Sequence, residues 1–141
     1  MTSVINNGAV ECGDAQVRAY CHHVATVVTI RGEIDAVNVD RLADYLRHFI
    51  LEKDRVVLDL SDVTHFSAAG MSLLYTVDDE CGAAGAEWKL VPSPAVIDQL
   101  CQSKDWALLP IARSVHEALR SLTDAIASRR RLMLPLIKKS A

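Results

Sequence analysis

From Arg55 to Leu74 the chain passes from a short apolar run, through polar turn residues, into a segment with helical spacing. The run Val56 to Leu60 is too brief for a helix and begins with two β-branched residues, which is how a strand buried on both faces reads. Ser61, Asp62 and Thr64 follow as turn residues, and Ser67 stands immediately before the helical segment. Serine is a strong N-cap, so Ser67 is expected to close the first turn of that helix. In α/β folds a strand–loop–helix unit of this kind places its loop beyond the carboxyl end of the strand, where function gathers.

The rest of the chain supplies more elements of the same class. Gln16–His22 and Val24–Glu33 read as two strands, the second rich in β-branched residues (Val27, Val28, Thr29, Ile30), with His22-His23 at the corner between them. A metal site at the paired histidines is not expected, because neighbouring strand residues point to opposite faces. Val39, Leu42, Leu46, Phe49 and Ile50 form one apolar stripe at helical spacing, with the charged connector Glu52-Lys53-Asp54 after it. A second helix is expected over 68–84. Leu74, Val77, Cys81 and Ala84 form its inward stripe, Tyr75 and Asp79 the far side, and Met71 and Asp78 the flank, with Gly85 as a left-handed terminator. Glu87–Val91 is a further strand. Ser93-Pro94 opens a helix with Val96, Ile97, Leu100 and Cys101 on its buried side. Leu108–Ile111 reads as a last edge strand. Ser114-Val-His-Glu117 is a capping box, followed by a helix with Val115, Leu119, Leu122 and Ile126 inward, which Pro135 is expected to stop. Residues 1–14 read as a flexible lead-in. The whole describes one α/β domain with a central mixed sheet of four to five strands and about four helices.

Charge and cysteine usage narrow the function. Residues 1–128 hold ten basic and eighteen acidic side chains, a net of −8, while Arg129, Arg130, Arg131, Lys138 and Lys139 make a basic tail over 129–141. An acidic body does not suit the nucleic-acid backbone. Cys12, Cys21, Cys81 and Cys101 form no C-x-x-C pair, so free thiols are expected and a metal site is not. The start of the chain carries no apolar signal-peptide core and no run approaches membrane-spanning length. No G-x-S-x-G elbow, phosphate-binding lysine loop or dinucleotide fingerprint occurs, so no catalytic residue and no cofactor is assigned. His65 stands two residues from Ser67 but is read as a loop residue and not as a general base.

Asp59-Leu-Ser61-Asp62-Val-Thr64-His65-Phe66-Ser67-Ala68-Ala69-Gly70-Met71 resembles the signature of the STAS-domain family of anti-sigma factor antagonists, D-L-S-G-V-x-x-[IV]-D-S-[SA]-G-[LMI]. Gly32-Glu33-Ile34-Asp35 resembles the family's G-x-[LI]-D turn, and the likeness spans roughly Gln16 to Leu122, so residues 15–128 are read as a STAS-like domain. Asp62 and Phe66 depart from the pattern. Ser67 falls where the family has aspartate, and Ala68 where it has the phosphorylated serine. The resemblance implies a bacterial, cytoplasmic, non-enzymatic module. It would dock through its signature loop and second helix onto an anti-sigma factor of serine-kinase fold, releasing a sigma factor and so regulating transcription. It further implies partner contacts at Ser67, Ala68, Gly70, Met71 and Tyr75. Asp59, Ser61, Asp62 and Thr64 would form the signature loop. Without a hydroxyl at Ala68 the family's phosphate switch has no acceptor there, and Ser67 is the candidate substitute. A second copy of the chain is a further candidate partner; nucleic acid and membrane are not. The alternative is a scaffold or sensing STAS domain that binds a small ligand, a nucleotide or another signalling protein.

Overall fold

The computed structural model describes residues 4–5, 9–52, 54–103 and 108–140, with side chains described for these except 4–5, 49, 51–52 and 130–140. Among the described residues six strands lie side by side in chain order: β1 (Val4–Ile5), β2 (Ala9–Cys12), β3 (Ala15–Cys21), β4 (Thr26–Ile34), β5 (Arg55–Phe66) and β6 (Glu87–Val91). The first four pair antiparallel, and β4, β5 and β6 pair parallel. Connection length explains the change. Two residues join β2 to β3, with Gly13 at φ 59°, whereas α1 (Val39–Glu52) and α2 (Gly70–Ala84) form the crossovers to β5 and β6.

Right-handed crossovers between neighbouring parallel strands put their helices on the same face. Accordingly Leu42, Leu46 and Ile50 of α1 join Leu73, Leu74, Val77 and Cys81 of α2, and Val96 and Leu100 of α3 (Pro94–Gln102), in one core. That core lies over Val28 and Ile30 of β4, Val56, Leu58 and Leu60 of β5, and Trp88 and Leu90 of β6. The alternate residues Val27, Val57 and Val91 face the other side, where Ala118 and Leu122 of α4 (Val115–Ser140) cover them. β5 is thus buried on both faces through its first half, as its composition requires.

Among the described residues the expected mixed sheet and four helices are present, with several differences in detail, one being that Ala84, read as inward on α2, is exposed. Residues 9–14, read with the lead-in, form β2 and its turn, and Ala9, Val10 and Cys12 are buried. Residues 61–66, read as a turn, continue β5. They pair with Arg31–Ile34 through two register shifts that absorb the extra residues. Of Leu108–Ile111 only Ile111 makes a bridge, to Leu90. On α3, Ile97 and Cys101 are exposed, leaving Val96 and Leu100 as its buried side. α4 runs on past Pro135, since a helix can absorb the missing donor as a kink. The inward position read for Phe49 lies outside the described residues.

One residue not singled out in the sequence ties three elements together. Asn38 is 1% exposed, and its amide nitrogen donates to the carbonyls of Cys12 (3.1 Å) and Glu33 (2.8 Å). Its side-chain oxygen accepts from Asp35 N–H at 3.0 Å. The end of β2, the end of β4 and the start of α1 therefore meet on one satisfied amide. Removing it strands three backbone groups, each worth about 1–3 kcal/mol when buried and unpaired. Asn38→Ala is expected to lose about 3 kcal/mol in urea denaturation; a loss below about 0.5 kcal/mol would show that these groups find water instead.

Candidate functional site

Between β5 and α2 the chain makes a tight three-residue turn, Ser67-Ala68-Ala69. Ser67 N–H donates to Ile34 O at 3.0 Å, which anchors the turn to the end of β4. The carbonyls of Ser67, Ala68 and Ala69 then accept from the N–H groups of Gly70, Met71 and Ser72 at 2.9, 3.1 and 3.1 Å. These three-residue bonds satisfy the opening amides of α2 without a side chain. The N-cap is Ala69, with helical angles and no side-chain cap, so the capping role expected of Ser67 is not formed. The Ser67 hydroxyl is instead buried and has no hydrogen-bond partner among the described residues.

The turn is held close to β5 by a contact only glycine permits. A Cβ on Gly70 would lie 2.5 Å from Cε1 of Phe66, whose ring is 6% exposed. Met71, read from the sequence as a partner-surface residue on the flank of α2, is 9% exposed and belongs to the same core as that ring. The residues assigned to a partner surface therefore separate. Gly70 and Met71 are buried, and Ser67 presents no hydroxyl, whereas Ala68 and Tyr75 are exposed.

Ala68 and Tyr75 share a face with two residues the sequence reading left out of the surface. Ser72 and Asp79 are exposed and follow the same spacing, 68, 72, 75 and 79. The periodicity that defined the inward stripe of α2 defines this outer one equally. Tyr75 is steadied by its hydroxyl, 2.9 Å from Ser103 Oγ. Asp78 accepts from Trp88 Nε1 (3.0 Å) and Glu80 pairs with Arg47 (3.1 Å), while Asp79 has no such partner among the described residues. The face thus offers one aromatic ring, one hydroxyl and one free carboxylate.

The signature residues on β5 occupy a different surface. Asp59 Oδ1 accepts from Ser61 N–H (3.1 Å) and Ser61 Oγ (2.6 Å), fixing the local backbone. Thr64 Oγ1 donates to Gly32 O at 3.2 Å, and Asp62 lies 3.8 Å from Arg31, both side chains being largely exposed. Gly32 has φ 98°, and a Cβ there would lie 2.3 Å from Asp14 O. Arg31, Asp62 and Thr64 are shared by two open clefts, one of about 490 Å³ with Glu11, Asp14 and Gln16, the other of about 520 Å³ with Ser93 and Pro94. His65 pairs with Glu33 at 3.1 Å and does not meet the buried Ser67 hydroxyl.

The thiols divide in a way the sequence did not give. Cys12 and Cys81 are buried; Cys21 and Cys101 are exposed; all four are free. Burial, helped by Asp78 and Glu80, pushes the Cys81 thiol up to about 11 from 9.0. Burial likewise raises Cys12, opposed by the charge of Arg41.

Comparison with known proteins follows the same outline. Residues 16–118 match the STAS domain family. Osmosensory protein A of Mycobacterium tuberculosis is 54% identical over 145 residues, spanning 100% of this chain and 92% of that protein. An anti-sigma factor antagonist from Mycobacterium paratuberculosis superposes with a TM-score of 0.70 at 21% identity, over 77% of this chain and 94% of that one. An anti-sigma factor antagonist (STAS) domain protein from Planctomyces limnophilus superposes with a TM-score of 0.65 at 19% identity, over 76% and 97%. At such identities the two structures show a shared fold.

The raised Cys81 thiol has a consequence for stability. Between pH 9 and about 11 the unfolded chain gives up a proton that the folded chain keeps, so stability falls as pH rises through that window. The full effect is on the order of 2 kcal/mol. Urea denaturation at both ends of the window should show Cys81→Ala, less stable at the start, losing less than the natural protein. Equal losses would mean the thiol is not responsible.

Proposed function

The chain belongs to the STAS domain family, and we propose that it is an anti-sigma factor antagonist. It docks through the Ser67–Ala69 turn and the outer face of α2 onto an anti-sigma factor of serine-kinase fold, releasing a sigma factor to act in transcription. The observation that carries this reading is the exposure of Ala68 on the tight turn before α2, in line with exposed Ser72, Tyr75 and Asp79. This is the position where the family resemblance puts the regulatory phosphoserine. Met71 and Gly70 serve the surface from beneath, by fixing the turn against Phe66.

Alanine at 68 carries no hydroxyl, and the neighbouring Ser67 hydroxyl is buried. Neither side chain offers a kinase an accessible acceptor, so docking through this surface is constitutive with respect to phosphate on the turn. The protein is a binding module and not an enzyme, working in the bacterial cytoplasm. No helix among the described residues is long and apolar enough to cross a membrane. The name of Osmosensory protein A, the 54% identical relative, supports placing this docking in a response to osmotic change. A sensing role for the family fold draws support from the two clefts that share Arg31, Asp62 and Thr64, lying on β4 and β5 away from the α2 face.

Ala68→Glu tests the docking surface. A carboxylate there is exposed and close to the positive end of α2, so stability should move by no more than about 0.5 kcal/mol. Affinity for the anti-sigma factor, read by calorimetric titration, should fall at least about tenfold, or roughly 1.4 kcal/mol. Equal affinity for the natural protein and the variant would remove the turn from the interface.

A further inference from the structure

Three of the chain's five histidines gather at the end of the sheet far from the Ser67–Ala69 turn. His22 and His23 form the corner between β3 and β4, with rings stacked at 4.2 Å between centroids. Together with Val24 they face His116, Leu119, Arg120 and Thr123 of α4 across a cleft of about 410 Å³. Such a volume accommodates a small organic ligand.

Each polar side chain around this cleft can donate a hydrogen bond. His22 Nδ1 accepts from Val24 N–H at 3.1 Å, which leaves Nε2 to carry that ring's donor proton. His23, His116 and Arg120 have no carboxylate or hydrogen-bond partner among the described residues. Thr123 is already engaged, donating to Leu119 O at 2.9 Å. Among the described residues no acidic side chain lines the cleft. Asp54 and Arg55 line an adjoining pocket with His22, and Arg55 Nε donates to Val24 O at 2.8 Å. In a body of net charge −8, the guanidinium of Arg120 and three imidazoles able to donate a hydrogen bond gather around one concavity.

We propose that this cleft binds a phosphate monoester, held by His22 Nε2, His23, His116 and Arg120. A guanidinium takes two oxygens of a phosphate at once, and imidazole N–H groups can reach the remaining ones. The cleft is larger than a phosphate alone, and Val24 and Leu119 give the excess an apolar wall for the organic part of the ester. The site is separate from the turn at Ala68, so it stands whether or not the anti-sigma reading does. It would give a chain without an acceptor on that turn a place to receive a phosphate made elsewhere.

The test is an imidazole NMR titration of the full chain with phenyl phosphate, a phosphoserine tripeptide and inorganic phosphate. His22, His23 and His116 are expected to shift saturably with the two esters, while His48 and His65 stay still. Arg120→Ala, an exposed change expected to leave the melting temperature nearly unaltered, should weaken binding at least about tenfold through loss of the bidentate contact. Tighter binding of the peptide assigns the site to a phosphorylated protein, and tighter binding of phenyl phosphate assigns it to a small ester. Absence of saturable shifts with either ester, or shifts that persist unchanged in an Arg120→Ala/His116→Ala double variant, would overturn the proposal.

Discussion

The site depends on the contact between Gly70 and the Phe66 ring. Any Cβ at position 70 would enter the ring, so glycine lets α2 begin directly above the end of β5. That closeness permits the three short carbonyl-to-amide bonds that cap α2 without a side chain, and it turns Ala68 outward. Phe66 in turn is placed by the register of β5 on β4, where it pairs with Ile34. The same Ile34 carbonyl receives the Ser67 N–H. The turn is therefore an outcome of sheet register and one missing side chain, and its stability owes little to its own residues.

The two faces of the sheet divide the work. Three helices and most of the apolar side chains lie on one face, which fixes α2 rigidly through α1 and the core. On the other face Ala118 and Leu122 of α4, with Ala112, cover Val27, Val57 and Val91, leaving polar residues of β4 and β5 open beside them. The outer face of α2 and the histidine-lined cleft are consequently on different elements.

Much of this was legible in the sequence, because long periodic segments and strong terminators report on themselves. Val39, Leu42, Leu46 and Ile50 of α1, Leu74, Val77 and Cys81 of α2, the left-handed Gly85 with its bonds back to Cys81 and Gly82, and the Ser93 cap on Val96 N–H stand as read, whereas Ala84, read as the end of the α2 stripe, is exposed. What failed depended on neighbours that a local pattern does not contain. Ser61 to Phe66 look like a turn, but β4 supplies partners and extends the strand. Ser67 is a good cap by type, yet the Gly70–Phe66 contact moves the helix start beyond its reach. Met71 lay on the flank of the helical wheel, and the structure places it in the core. Ile97 and Cys101 fit an apolar stripe, but α3 turns only the Val96 and Leu100 row to the core. Asn38 gave no signal at all, since its role is visible only once Cys12 and Glu33 are beside it.

The claim on which the functional reading rests is that the Ser67–Ala69 turn and the outer face of α2 meet the partner. Amide hydrogen exchange, compared between the free chain and its complex with an anti-sigma factor, examines that surface without altering a residue. Exchange slowed over residues 68–79 on binding, with the β2–β3 hairpin and α4 unchanged, is the predicted result. Slowing confined to β2–β3 or to α4, with residues 68–79 exchanging as in the free chain, would contradict it.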